Sequence, residues 1–389
     1  MIEQISKFLT TRIVYHGPGA LSRLPLEIAK LGGKRIGIIT DGGVVTTGIP
    51  GKIADALKTD TFCFDRVVPE PPYELVDQCA AFLRDNKCDV LIGVGGGSSL
   101  DTAKMSGVML TNNGRVPDYF GADKIPKPGV PVIAVPTTAG TGSEVSPAAV
   151  FVDSADQTKK GARSDFLLPE AAIIDPQLTL SLPPGLTAST GIDALTHAIE
   201  CYTSLAATAI SDLVAEKAIA MISANIREAF ANGNSLQARN GMLMGSFLAG
   251  IALAVANVGA VHALAQTVGG LYHIAHGVSN ALFLPYVMDF NRIGCREKYA
   301  RVADLMGVCT SDNTVDEASQ KAVDAVRRLT LDLQIPQSLS ELEIPQECIE
   351  SGADRCLQTQ GRILSNNPRA MDTADAGRIL QAAFDGQEK

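Results

Sequence analysis

Asp89-Val90-Leu91-Ile92-Gly93-Val94-Gly95-Gly96-Gly97-Ser98-Ser99-Leu100-Asp101-Thr102-Ala103-Lys104 is the stretch on which the fold turns. An aliphatic run that ends in three glycines and passes into a helical pattern reads as a buried strand turning straight into a helix. Glycines there let backbone N–H groups converge on a phosphate, and the helix N-terminus adds partial positive charge. A plain turn rarely needs three of them. The segment is not a GxGxxG fingerprint, because that pattern counted from Gly93 needs glycine where Ser98 stands, and no acid follows about 20 residues on.

Around this strand, residues 12–15, 35–40, 62–68, 132–135, 150–152 and 172–175 form further short β-branched runs, with helical patterns between them at 50–57 and 73–86. Such alternation predicts an α/β domain, an open and largely parallel sheet with helices on both faces. Ligands of such sheets lie beyond the carboxyl ends of the strands. Two more loops there stand out. Pro136-Thr137-Thr138-Ala139-Gly140-Thr141-Gly142-Ser143-Glu144 carries hydroxyls and glycines suited to a pyrophosphate or ribose, and Thr40-Asp41-Gly42-Gly43 puts a carboxylate at a strand end. Taken alone, Asp41 reads almost equally well as a turn residue.

After Leu182-Pro183-Pro184 long helical patterns take over, which predicts an α/β domain at 1–182 and an all-α domain at 183–389. Four of the five histidines lie in the second part. Asp193 and His197 are four residues apart, one helical face able to bind one ion. His262, His273 and His276 fall in a segment, Asn240 to Met288, with no Asp, Glu, Lys or Arg. Each polar group buried in such a segment needs a partner, and a metal ion supplies one. A carboxylate with three imidazoles suits Fe(II), Zn or Mn. Spacing leaves open whether His273 or His276 is the third imidazole.

Composition narrows the alternatives. With 42 acids against 33 bases and a net charge of −9, a nucleic-acid partner is not expected. Eight scattered cysteines without a CxxC read as reduced packing thiols. The N-terminus lacks the layout of a signal peptide, and the apolar part of the uncharged segment, 242–256, is shorter than the roughly 20 residues a bilayer needs. The expectation is a cytoplasmic protein with no membrane span.

The segments GGGSSLDTAK, PTTAGTGSE, GIDALTHAIE, VHALAQ and HGVSNALFLPYVMDFN, in that order along the chain, resemble the iron-containing, or group III, alcohol dehydrogenases. The resemblance implies a dinucleotide-binding α/β domain, an all-helical metal-binding domain of dehydroquinate synthase-like architecture, and a cleft between them. It implies metal ligation by Asp193, His197, His262 and His276, with Fe(II) the first choice and Zn or Mn alternatives. His273 then belongs with His276 near the reacting groups. The implied NAD contacts are Asp41, Gly96, Gly97, Ser98, Asp101, Thr137, Thr138, Thr141 and Lys159. Gln266 stands where many members have a second histidine, and Ala275 where proline often precedes the last ligand, so proton handling and substrate preference are where this chain should differ. The implied reaction is hydride exchange between a small primary alcohol or aldehyde and NAD(H), in a homo-oligomer. Dehydroquinate synthase-like or glycerol-phosphate-type chemistry with the same cofactors is the alternative.

Overall fold

The computed structural model describes residues 6–155 and 158–386. Residues Leu9–Leu182 form one compact unit, and residues 6–8 group with everything from Pro183 onward in a second. Since the first strand begins only at Ile13, the stretch before Leu9 has no place in the sheet.

The first unit contains β1 (Ile13–His16), β2 (Arg35–Asp41), β3 (Asp60–Val67), β4 (Val90–Gly95), β5 (Gly121–Ala122), β6 (Val132–Pro136), β7 (Ala148–Asp153), β8 (Thr158–Arg163) and β9 (Ala171–Ile174). Six of them build one sheet in the order β1-β9-β6-β4-β2-β3, and every pairing is parallel. β4, β6 and β9 are buried along their whole length, as strands covered on both faces must be. One face packs Ile36, Ile38, Ile92, Val94 and Ile133 against Leu24, Ile28 and Ile53, and the other packs Ile39 and Leu91 against Leu83 and Ala103. Gly93 matters to the second face: a Cβ there would lie 2.9 Å from that of Ala103, so glycine lets the Gly97–Thr111 helix settle onto the sheet.

The run 150–152 does form a strand, but in a separate three-stranded sheet, β5-β8-β7, where β7 and β8 are antiparallel. Its burial alternates, with Phe151 inside and Val150 outside, in contrast to the continuous burial of β4. One-sided burial suits an antiparallel hairpin rather than a doubly covered sheet.

The second unit is helical, and among the described residues no strand follows Ile174. The uncharged segment supplies most of three helices, Leu236–Ala256, Ala260–Tyr272 and His276–Arg292. Leu236–Ala256 is long and apolar enough to cross a membrane, yet most of it is buried within the protein, as expected for a core helix. All eight cysteines are free thiols.

Candidate metal centre and dinucleotide loops

Three helices bring the acid and the imidazoles together. Asp193 and His197 lie one turn apart on Pro184–Thr203, His262 sits in the first turn of Ala260–Tyr272, and His276 opens His276–Arg292. At Gly277 a Cβ would stand 2.5 Å from the Ser189 carbonyl oxygen, so only glycine lets that helix start so close to its neighbour. Ligand atoms of Asp193, His262 and His276 all lie within 4.8 Å of one another. Asp193 Oδ1 is 3.7 Å from Nε2 of His262 and 3.7 Å from Nε2 of His276. The His197 ring lies alongside, stacked on that of His262 with centroids 4.7 Å apart.

Charge arrangement agrees with the geometry. Burial by itself raises the Asp193 carboxyl, but the imidazoles of His197, His276 and His262 and the Asn280 amide together outweigh it and hold the group below its ordinary value.

His273 ends the Ala260–Tyr272 helix in the left-handed region, φ 55°, with an exposed side chain. It therefore does not share a helical face with His276. Gln266 is half-buried one turn beyond His262, and Ala275 is the N-cap of the helix that His276 begins.

Two residues that the sequence did not flag complete the centre. Glu200 Oε2 pairs with His262 Nδ1 at 2.5 Å, while its Oε1 accepts from the Val261 amide at 2.7 Å. With a carboxylate on Nδ1, that nitrogen carries the proton and the lone pair sits on Nε2, facing Asp193. Asn280 Nδ2 lies 2.6 Å from Asp193 Oδ1, 3.1 Å from His262 Nε2 and 3.2 Å from His276 Nε2. Spacing held a hint of both: Glu200 follows Asp193 by two helical turns, and Asn280 follows His276 by one.

The loops of the first unit also converge. β6, β4 and β2 are neighbours, and the direction of strand progression reverses between β2 and β4, the place where such sheets bind ligands. Gly95 turns at φ 145°, Thr137 N donates to the Gly95 carbonyl at 3.0 Å, and a Cβ on Gly97 would meet the Thr141 side chain at 2.7 Å. Thr138 packs similarly against Gly96. Asp41 Oδ1 caps the short Gly42–Thr46 helix at Val44 N, 3.0 Å, and its Oδ2 lies 3.4 Å from Ser99 Oγ. Asp41, Gly96, Gly97, Ser98, Thr137, Thr138 and Thr141 thus line one patch. Lys159, on β8, pairs with Glu70 at 2.7 Å.

Asp101 stands apart. Its oxygens accept from Ser143 Oγ at 2.5 Å and Val150 N at 2.9 Å, and it pairs with buried Lys104 at 2.9 Å. Lys104 Nζ in turn donates to the carbonyls of Ser143, Ser146 and Ala148. This carboxylate is committed to fastening the 137–144 loop to the helix.

Comparison with known proteins places the chain. Residues 11–176 match iron-containing alcohol dehydrogenase, and residues 187–384 match the C-terminal part of the Fe-containing alcohol dehydrogenase family. Long-chain-alcohol dehydrogenase 1 of Geobacillus thermodenitrificans (strain NG80-2) is 42% identical over 388 residues, 98% of each chain. A crystal structure of 1,3-propanediol oxidoreductase superposes with a TM-score of 0.95 at 37% identity, covering 98% of this chain and 100% of that one. Sulfoacetaldehyde reductase from Bifidobacterium kashiwanohense, solved with NAD+, gives 0.89 at 27% identity, covering 98% and 99%. The chain belongs to the iron-containing alcohol dehydrogenase family, oxidoreductases that act on the CH–OH group of their donors with NAD as acceptor.

Proposed function

We propose that the chain oxidises a primary alcohol, and reduces the matching aldehyde, using one divalent metal ion held by Asp193, His197, His262 and His276 together with NAD(H). The observation that carries this reading is the donor set: a buried carboxylate oxygen and two imidazole Nε2 atoms face one point, with 3.7 Å between the carboxylate and each nitrogen. Ligands about 2.1 Å from a shared ion stand roughly 3–3.5 Å apart, so a small contraction seats one. Asn280 Nδ2 has two hydrogens for three acceptors, and a cation serves all three. His197 fits as fourth ligand, because imidazoles radiating from one ion have centroids roughly 4.5–5 Å apart and its ring is 4.7 Å from that of His262.

The ion, Fe(II) by the family's habit, supplies Lewis acidity toward the alcohol oxygen, and NAD accepts the hydride. The protein's own residues prepare the site. Glu200 fixes the His262 tautomer, the apolar helices keep water out, and His273 and Gln266 belong to the surroundings of the reacting carbon. Asp41 takes the adenosine ribose, Gly96, Gly97 and Ser98 the pyrophosphate, and Thr137, Thr138 and Thr141 the rest of the dinucleotide, with Asp101 and Lys104 holding their loop in place. The relatives' names, long-chain alcohol and 1,3-propanediol among them, share a primary hydroxyl and no chain length. A cytoplasmic homo-oligomer completes the reading.

Metal content and turnover of His197→Ala and His262→Ala test it. Both should lose metal and activity together. A variant keeping full metal and full turnover removes that residue from the site.

A further inference from the structure

Glu70 is one of the few residues other than glycine held at positive φ, 50°. Left-handed backbone disfavours such a side chain, and strain of this sort persists where surrounding contacts impose it. Glu70 N donates to Ser98 Oγ in the glycine-rich loop at 3.3 Å, and Glu70 Oε1 takes Lys159 Nζ at 2.7 Å. The next residues run along β7, where Val152 N donates to the Pro71 carbonyl at 3.0 Å, and Pro72 bridges to Val152. Lys160, beside Lys159, points its charge at Asp153 instead. One residue therefore ties the glycine-rich loop to the β7–β8 hairpin through its backbone and holds the Lys159 cation with its carboxylate.

We infer that Glu70 is a competing counter-ion that keeps dinucleotide affinity low: Lys159 exchanges between its carboxylate and the cofactor's phosphate, which speeds cofactor release. The inference rests on the reading of the Gly95–Ser98 loop as the pyrophosphate seat. A negative charge beside that seat repels the phosphate and neutralises the lysine that attracts it. The Lys159 side chain is only 13% exposed, so solvent screens the contest incompletely.

The test is the dissociation constant of NADH, followed by its fluorescence, for the wild type, Glu70→Gln, Lys159→Gln and the double variant. Glu70→Gln should tighten binding roughly 3- to 10-fold by slowing release. Lys159→Gln should weaken it, and Glu70→Gln should gain less in the Lys159→Gln background. The gain should also shrink as ionic strength rises, which a purely structural effect of the substitution would not do. Glu70→Asn, better suited to positive φ, guards against misfolding and should behave like Glu70→Gln. Weaker or unchanged binding in both variants, or an equal gain with and without Lys159, overturns the inference while leaving the loop assignment standing. A wild type that binds no NADH overturns both.

Discussion

Glu200 offers the sharpest perturbation of the proposed metal centre, because its two oxygens serve two donors, His262 Nδ1 at 2.5 Å and Val261 N at 2.7 Å, with the Glu200 and His262 side chains almost wholly buried. Glu200→Gln keeps the shape and leaves one acceptor. If the amide oxygen stays with Val261 N, the NH2 group faces His262 and forces the proton onto Nε2, which then cannot bind a metal. If the oxygen turns to His262, the NH2 group abuts the Val261 N–H, and a buried donor goes unsatisfied at about 1–3 kcal/mol. Both arrangements weaken the centre. Loss of such a supporting carboxylate typically lowers metal affinity 10- to 100-fold, about 1.4–2.7 kcal/mol. The assay is metal transfer from a chelator of known affinity, paired with thermal unfolding of the metal-free protein, which should lose stability by the smaller of these amounts. Metal affinity within about twofold of wild type, in a variant of unchanged fold, would refute the assigned tautomer and with it the role of Glu200.

Three further outcomes follow. Asp41→Gly should shift kcat/KM from NAD toward NADP, because a carboxylate near a 2′-phosphate contributes on the order of 2–4 kcal/mol of repulsion at an effective dielectric of 20, and glycine replaces its helix cap at small cost; a wild type already indifferent between the cofactors contradicts this. Gln266→His should add a titration near 6.5 to the pH profile of turnover without changing metal content, and an unaltered profile would place that side chain away from the reaction. Burial pushes the Glu144 carboxyl from 4.5 up to about 7, its own backbone amide and Lys104 offsetting only part of the rise. The folded state then holds a proton that the unfolded chain releases, so stability falls by up to ~3 kcal/mol as pH rises from about 4.5 to 7 and is level above. Glu144→Gln should flatten that slope in denaturant unfolding, and an unchanged slope would show the carboxyl is not its source.

The parallel sheet was legible because β4 and β6 are buried on both faces, and continuous aliphatic runs advertise that. β8, Thr158–Arg163, was not legible: it carries lysines and no apolar run, and it is a strand through its pairing with β7 on one side and β5 on the other. At the candidate metal centre, Asp193 and His197 could be paired from one helix, and His262, His273 and His276 all stood out as polar groups in uncharged surroundings, with the family resemblance and not the spacing favouring His276 over His273. Glu200 and Asn280 were passed over because the only local hint, helical spacing from Asp193 and His276, does not reveal partners as distant in sequence as the His262 imidazole, 62 residues from Glu200. Asp101 has structural partners that the loop motif does not reveal. It sits inside a loop motif, while its partners, Ser143 and Val150, arrive from over 40 residues away.

Alcohol oxidation by this chain should depend on an ion at Asp193, His197, His262 and His276. Chelator-stripped protein, titrated with Fe(II), Zn or Mn while NADH formation from NAD and a primary alcohol is followed, measures this directly. Activity should climb in proportion to bound metal and level off at a single ion per chain, with Asp193→Asn neither binding the ion nor turning over. Full turnover by the stripped protein, or by Asp193→Asn, would show that the reaction does not need this ion.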